Sequence, residues 1–186
     1  YLATYGGFLV MEIARDGHVE ATNAKIDVST LNDLKRNLLI FYTGKQRINK
    51  QILGEQDKST KNNKVDVLNS LHYIKESGYK ILEIVESGNI TELGKMFDEH
   101  WMHKKKLAKG ITNPEFDNIY DIAKQNGVIG GKISGAGGGG FMLFFVPAEL
   151  REIVKQALGK FLHVPFRFES SGSQIIYYQP DPHGQL

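Results

Sequence analysis

The apolar residues of the chain recur at two spacings, one typical of β-strands and one typical of α-helices. Residues 7–13 and 18–21 flank Asp16-Gly17, a dipeptide that favours tight turns, and the pattern predicts a β-hairpin. The unbroken apolar run Leu38–Tyr42 predicts a strand that is buried on both faces. Further apolar runs predict strands at Phe141–Val146, Val164–Phe168 and Gln174–Tyr178.

Helices are predicted where apolar residues return every three or four positions. This spacing is found in Leu68–Val85, Leu93–Trp101, Phe116–Ala123 and Leu150–Phe161. Helices and strands are mixed along the chain without strict alternation. The pattern therefore predicts an α+β fold in which helices pack on one antiparallel sheet.

Capping residues mark the starts of two of these helices. Asn113-Pro114 places an asparagine cap before a proline, which is typical of a first helical turn, and Asn126-Gly127 predicts the end of the same helix. Asn89 is followed three residues later by Glu92, and this spacing predicts a capping box at the start of a second helix.

Composition narrows the class of protein. The 186 residues are 41% hydrophobic and 24% charged, which is typical of a globular protein with one ordinary core. Lys and Arg total 23 against 21 acidic residues, so the charge gives no reason to expect nucleic acid or a membrane surface as a partner. The absence of cysteine excludes disulfides, thiolate catalysis and zinc–thiolate sites. We predict a cytoplasmic protein.

The length of the apolar runs and the first residues of the chain predict whether it crosses a membrane and whether it is part of a longer protein. No apolar run reaches the ~20 residues that a membrane-spanning helix needs, so no membrane partner is expected. The chain starts at Tyr1 without a methionine and with apolar residues at once, which predicts a piece of a longer protein.

The most unusual segment is the glycine-rich stretch Gly130–Gly140. A run of glycines loses much backbone entropy on folding and therefore needs a local reason. The reason is either a phosphate group bound by consecutive backbone N–H groups or a tight structural turn. Two known phosphate loops do not fit, because the stretch runs into a strand instead of a helix and Lys132 is followed by Ile133 where a P-loop has Ser or Thr. The pattern alone leaves both reasons open.

The stretch Lys132–Phe141 resembles the third signature motif of the GHMP kinases, the superfamily of galactokinase, homoserine kinase and mevalonate kinase. Other segments resemble the sugar-kinase branch in the same order along the chain, and within it the D-glycero-D-manno-heptose 7-phosphate kinases most. These segments are Tyr1–Gly7, Phe41–Gly44 with Arg47 and Ile52-Leu53, His100-Trp101 with Lys104, and Gly110–Glu115. The resemblance extends from Tyr1 to about Tyr178.

The resemblance implies a two-domain enzyme that uses ATP and Mg²⁺ to phosphorylate a sugar hydroxyl. Residues 1–30 would be a remnant of the N-terminal domain, residues 31–180 the C-terminal domain with helices on one face of an antiparallel, ferredoxin-like sheet, and residues 181–186 a tail. The catalytic Asp and the main ATP loop of the family are expected upstream of Tyr1. We therefore expect no catalytic residue and no metal site in this chain, and no activity from the chain alone.

The resemblance also implies two groups of binding residues. The ATP phosphates would be bound by Lys132, Ser134, Gly135, Ala136, Gly137, Gly138, Gly139 and Gly140. The sugar would be bound by Thr43, Arg47 and Lys104, and the last two suit a phosphate on the substrate. The pattern alone also allows Lys132 and Arg47 to be solvated surface residues and Lys104–Lys106 to be a solvated helix end.

The implied partners are a small-molecule sugar phosphate and the protein's own N-terminal domain, and a homodimer stays open. Two other functions also stay open. One is a kinase for a galactose-like or fucose-like sugar, and the other is a non-catalytic ligand-sensing protein on the same fold. The residues upstream of Tyr1 would separate the kinase from the sensor.

Overall fold

The computed structural model of the chain describes residues 1–45 and 49–178. The chain divides into two compact units, a larger one of residues 26–166 and a smaller one of residues 1–25 with the segment that begins at Arg167. The predicted tail, residues 181–186, lies outside the described residues. In chain order the elements are α1 (Leu2–Tyr5), β1 (Leu9–Ile13), β2 (Val19–Asn23), α2 (Val28–Asn37), β3 (Leu38–Tyr42), α3 (Asn49–Lys61), α4 (Val65–Ser87), α5 (Ile90–Lys105), a 3-10 helix (Lys109–Ile111), α6 (Pro114–Gln125), β4 (Gly130–Ile133), β5 (Phe141–Phe145), a second 3-10 helix (Ala148–Leu150), α7 (Arg151–Ala157) and β6 (Leu162–His163).

The larger unit is built around a four-stranded antiparallel sheet. Its strand order, β4-β5-β3-β6, puts the unit's first and third strands at the centre, as in the ferredoxin-like fold. Strand β3 pairs with β5 from Leu38 opposite Phe145 to Tyr42 opposite Phe141, and β6 pairs with its other edge. The predicted buried strand and the α+β fold are confirmed.

Helices supply most of the other core residues of the larger unit. Helix α5 packs against β4 and β5, and α4 packs against α5. The fully buried side chains include Trp101, Phe41, Phe116, Phe144, Ile119, Ile133, Met142 and Leu158. Burying each such side chain stabilises the folded state by roughly 1.5–3 kcal/mol relative to leaving the side chain exposed. No helix in the described part of the chain is long and apolar enough to cross a membrane.

Strand β4 begins with two glycines because helix α5 and strand β5 leave no room for their side chains. A Cβ atom on Gly130 would lie 2.1 Å from the carbonyl oxygen of Gly94 on α5, and one on Gly131 would lie 2.5 Å from the ring of Phe144. The first residues of the glycine-rich stretch therefore form a strand, and only the residues after Ile133 form a loop.

Of the two helix starts predicted from capping residues, one has the predicted cap and the other does not. The side chain of Asn113 accepts a hydrogen bond from the Phe116 N–H at 3.0 Å, which confirms the predicted start of α6. The predicted capping box at Asn89 is wrong, because its side chain makes no capping bond. The carboxylate of Glu92 instead pairs with Lys95 at 2.8 Å, one turn further along the exposed surface of α5.

The predicted strands Val164–Phe168 and Gln174–Tyr178 are absent from the described part of the chain. The Val164 N–H donates to the Ile40 carbonyl at 2.8 Å, but Pro165 follows and has no N–H with which to continue the ladder. Further along, Ile175 and Ile176 are 85% and 95% exposed, so the residues whose apolar character suggested a strand have no sheet to join.

The smaller unit contains the predicted hairpin, which is confirmed. Strands β1 and β2 pair from Leu9 opposite Asn23 to Ile13 opposite Val19. The turn is closed by a bond from the Ala14 N–H to the His18 carbonyl at 2.9 Å. None of the large apolar side chains among the described residues of this unit is fully buried.

Candidate functional site

The loop Ser134–Gly140 joins β4 to β5 and is the candidate site. Its two ends meet where the Ser134 N–H donates to the Phe141 carbonyl at 2.8 Å. Between them, Gly135 has a φ of 85° and all four residues of Gly137–Gly140 also have positive φ. A side chain costs free energy in this left-handed region, so the backbone path itself requires the glycines.

One side of the loop is fixed to neighbouring segments in its middle and at its end. The Gly138 N–H donates to the Ile111 carbonyl at 3.0 Å. The Gly140 carbonyl accepts from both the N–H and the hydroxyl of Thr43, each at 2.9 Å, and the Gly140 N–H donates to the Lys45 carbonyl at 2.9 Å. Thr43, which was predicted to bind the sugar, is buried and holds the end of the loop.

The start of the loop is held by Lys104, from the last turn of α5. Its ammonium donates to the carbonyl of Ile133 at 3.2 Å and to the carbonyl of Gly135. These carbonyls lie on either side of Ser134. The structure therefore brings Thr43 and Lys104, which are far apart in sequence, to opposite ends of the same loop.

Lys132 and His100 form a partly buried basic pair between β4 and α5. The ammonium of Lys132 lies 5.5 Å from the ring centroid of Phe97, and burial lowers the pKa of Lys132. Burial is also the main cause that lowers the pKa of His100 to about 4, and the charges of Lys132, Lys104 and His103 add to it. His100 is therefore neutral near pH 7, and positive charge beside the loop comes from lysines.

The outer side of the loop faces solvent. Ser134 and Gly135 are exposed and Ala136 is half-buried. No acceptor among the described residues takes the N–H groups of Gly135, Ala136 or Gly137. Successive N–H groups in a backbone of this kind form a concavity that suits the oxygens of a phosphate, so the residues present fit an anionic ligand.

Several contacts of the loop could not be expected from the sequence. Lys45 and Ile111 were not predicted as site residues, and they are joined to the loop only by the tertiary fold. Arg47, the remaining predicted site residue, lies outside the described residues. In the described part of the chain, no group of His, Asp and Glu side chains could hold a metal ion.

Comparisons with known proteins agree with this picture. Residues 81–164 match the family described as GHMP kinases C terminal. The chain is 32% identical over 156 residues to a D-glycero-alpha-D-manno-heptose 7-phosphate kinase of Campylobacter jejuni, which covers 83% of this chain and 45% of that protein. A mevalonate kinase of Saccharolobus solfataricus is 28% identical over 155 residues, with the same two coverages of 83% and 45%.

The chain is also similar to a solved structure. The crystal structure of a proposed sugar kinase from Campylobacter jejuni has a TM-score of 0.69 and 29% identity, over 92% of this chain and 48% of that chain. The chain thus spans about half the length of the relatives that it matches.

Proposed function

This chain belongs to the GHMP kinases, whose C-terminal domain it carries, and from that premise we propose that it is the C-terminal half of an ATP-dependent sugar-phosphate kinase. The observation that carries the proposal is the loop Ser134–Gly140, which is fixed on one side and presents N–H groups on the other. Phosphoryl transfer depends mainly on positioning and on neutralisation of charge, and such a loop supplies both.

In this proposal the loop binds the phosphates of ATP, which supplies the γ-phosphoryl group together with Mg²⁺. The N–H groups of Gly135 and Ala136 donate to phosphate oxygens, and the hydroxyl of Ser134 lies beside them on the exposed side. Lys132 adds positive charge from the strand that leads into the loop. The hydrogen bonds that hold the loop to Lys104, Ile111 and Thr43 restrict the directions of these donors before the ligand arrives, so little entropy is lost on binding.

The other groups that the reaction needs belong to an N-terminal domain in this proposal. The GHMP resemblance assigns the catalytic Asp and the main ATP loop to that domain, and residues 1–30 to its remnant. The two domains together form the complete site.

We propose that the substrate is D-glycero-D-manno-heptose 7-phosphate. Support comes from the 32% identity to a kinase with this substrate in its name, against 28% to a mevalonate kinase over nearly the same length. Arg47 follows the β3 strand, and its guanidinium suits a phosphate on the far end of a sugar. Thr43, four residues earlier, connects that region to the loop through Gly140.

The test is a substrate panel with the full-length protein. ATP consumption is measured with heptose 7-phosphate, free heptose, galactose, fucose and mevalonate. We expect the highest kcat/KM with heptose 7-phosphate, and Arg47→Ala lowers kcat/KM for the phosphorylated sugar alone. Arg36→Ala, which removes an exposed arginine paired with Asp33, is the control. It should leave kcat/KM unchanged for both heptose 7-phosphate and free heptose.

Two outcomes contradict the proposal. A full-length protein that binds one of these sugars without consuming ATP is a sensor, and the kinase assignment is then wrong. A kinase that prefers galactose, fucose or mevalonate keeps the reaction but overturns the substrate.

A further inference from the structure

Lys104 donates to two backbone carbonyls that lie on either side of one loop residue. Helix α5 ends at Lys105, and from its last turn the ammonium of Lys104 reaches the carbonyls of Ile133 and Gly135. A lysine ammonium has three N–H donors and no acceptor, so it can bind both carbonyls at once. Hydrogen bonds to a charged donor are stronger than those between neutral groups.

These two contacts determine which way the loop's N–H groups point. In a trans peptide the carbonyl and the N–H of the next residue point in opposite directions. Because the Ile133 carbonyl faces Lys104, the Ser134 N–H points away from it, and it donates to Phe141 at 2.8 Å. By the same geometry, the Gly135 carbonyl on Lys104 turns the Ala136 N–H away from α5.

The Ala136 N–H is one of the donors that the proposed function assigns to phosphate, and it has no acceptor among the described residues. A glycine at 135 gives the loop freedom to rotate this peptide, and its φ of 85° is one of several backbone states open to glycine. A fixed partner for the Gly135 carbonyl removes that freedom.

We propose that Lys104 is a positioning residue that orients the Gly135–Ala136 peptide so that the Ala136 N–H faces the ATP phosphate. This inference rests on the proposed function, because it assumes that the loop binds ATP. It gives Lys104 a role at the loop in place of a direct bond to a phosphate on the sugar. The two roles affect different substrates, so kinetics can separate them.

The experiment compares three variants of the full-length protein. Lys104→Met removes the charge and keeps the length of the side chain, and Lys104→Arg keeps donors for both carbonyls. Lys106→Met is the matched control, because Lys106 is an exposed lysine at the end of the same helix, and among the described residues it is Lys104 that bonds the loop carbonyls. For each variant, kcat and KM are measured for ATP and for phosphorylated and free heptose. Hydrogen exchange is measured at the Ser134 and Gly138 amides.

We expect Lys104→Met to lower kcat/KM for ATP by about tenfold to a hundredfold, equally with either sugar, because a misplaced donor no longer meets the phosphate. Lys104→Arg recovers most of this loss, and Lys106→Met stays within about twofold of wild type. Hydrogen exchange at Ser134 becomes faster in Lys104→Met, while α5 keeps its protection. Rescue by arginine together with an effect confined to ATP is not expected of a residue that only stabilises the fold.

The inference is wrong if Lys104→Met raises KM for the phosphorylated sugar alone, since Lys104 then binds the substrate. It is also wrong if both the ATP constants and the loop exchange are unchanged. If wild type consumes no ATP with any sugar, the proposed function fails. The exchange measurement then still decides whether Lys104 orders the loop. If Lys104→Met does not fold, Lys104→Gln with the same readouts takes its place.

Discussion

Gly137 is a residue at which the loop packs closely against backbone atoms of its support. Its φ is 103°, and a Cβ atom there would lie 2.9 Å from the Cα and from the carbonyl oxygen of Ile111. Backbone atoms cannot move aside as the end of a side chain can. The glycine is therefore required both by the backbone angle and by the space around it.

We predict that Gly137→Ala lowers the free energy of unfolding by about 2–4 kcal/mol, as the sum of a left-handed alanine and an overpacked contact. Gly44→Ala is the control, because Gly44 also has a positive φ, 76°, but has open space where its Cβ would be. It should cost only about 1–2 kcal/mol. Urea unfolding of both variants measures the difference, and equal losses would show that contact with Ile111 contributes nothing.

His100 makes the stability of the fold depend on pH. Burial and the neighbouring lysines lower its pKa from 6.5 to about 4. Between these two values the unfolded chain binds more protons than the folded chain, so folding becomes less favourable as the pH falls from about 6.5 towards 4. The stability that a neutral His100 permits is fully present above pH 6.5.

We predict that His100→Gln makes the free energy of unfolding fall less steeply between pH 7 and pH 5. Part of the slope remains, because burial also lowers the pKa of His103 and His163. His72→Gln, which removes an exposed histidine of α4, is the matched control. Urea midpoints at several pH values give the slopes, and an unchanged slope in His100→Gln would exclude this histidine as the cause.

Two of the features that local sequence signals predicted, a hairpin turn and a helix cap, are held by contacts that are themselves local. The hairpin turn at Asp16-Gly17 and the cap at Asn113 each involve atoms a few residues apart. Strand β4 was not predicted, because its two glycines are explained only by tertiary neighbours, Gly94 on α5 for the first and Phe144 on β5 for the second. The site shows the same difference. The run of glycines predicted a loop, but the contacts that Lys104 and Ile111 make with this loop arise only from the tertiary fold.

Helix α2 was missed although its signal was present. Its cap is Asp27, whose carboxylate accepts from the Thr30 N–H at 2.6 Å. This hydrogen bond is a main cause of the lowered pKa of Asp27. Val28, Leu31 and Leu34 also recur every three positions, so the sequence of this short segment contained both a cap and an apolar face.

The two asparagines at helix starts make a direct test at the scale of elements. We predict that Asn113→Ala lowers the free energy of unfolding by about 1 kcal/mol, because the Phe116 N–H loses its acceptor. Asn89→Ala should change it by less than about 0.5 kcal/mol, because the Asn89 side chain makes no capping bond. Thermal and urea unfolding of both variants supply the comparison. A loss at Asn89 as large as that at Asn113 would mean that Asn89 caps α5 in solution.

At the scale of the whole molecule, the two units differ in how they bury apolar residues. The larger unit has a continuous core around Trp101, Phe41 and Phe144. In the smaller unit, Tyr1, Leu2 and Tyr5 are each more than half exposed, and so are Ile175–Tyr178. Exposed apolar patches of this kind are commonly interaction surfaces, and under the proposed function the N-terminal domain of the enzyme covers these residues.

The last prediction concerns the 186-residue chain by itself. We predict that it consumes no ATP in the presence of heptose 7-phosphate, because it would supply the loop Ser134–Gly140, its lysines and Arg47 to a reaction that needs further groups. Catalytic groups that act as a unit are strongly non-additive, so half of a phosphoryl-transfer site does not give half of the rate. Co-expression with the N-terminal half of the protein should restore activity and protect Ile175 and Ile176 from solvent. The measurements are sugar-dependent ATP consumption, against a mock preparation, and hydrogen exchange along residues 171–178. Turnover by the chain alone would place the catalytic groups within these 186 residues. It would then contradict the proposal that the N-terminal domain supplies the catalytic Asp and the main ATP loop.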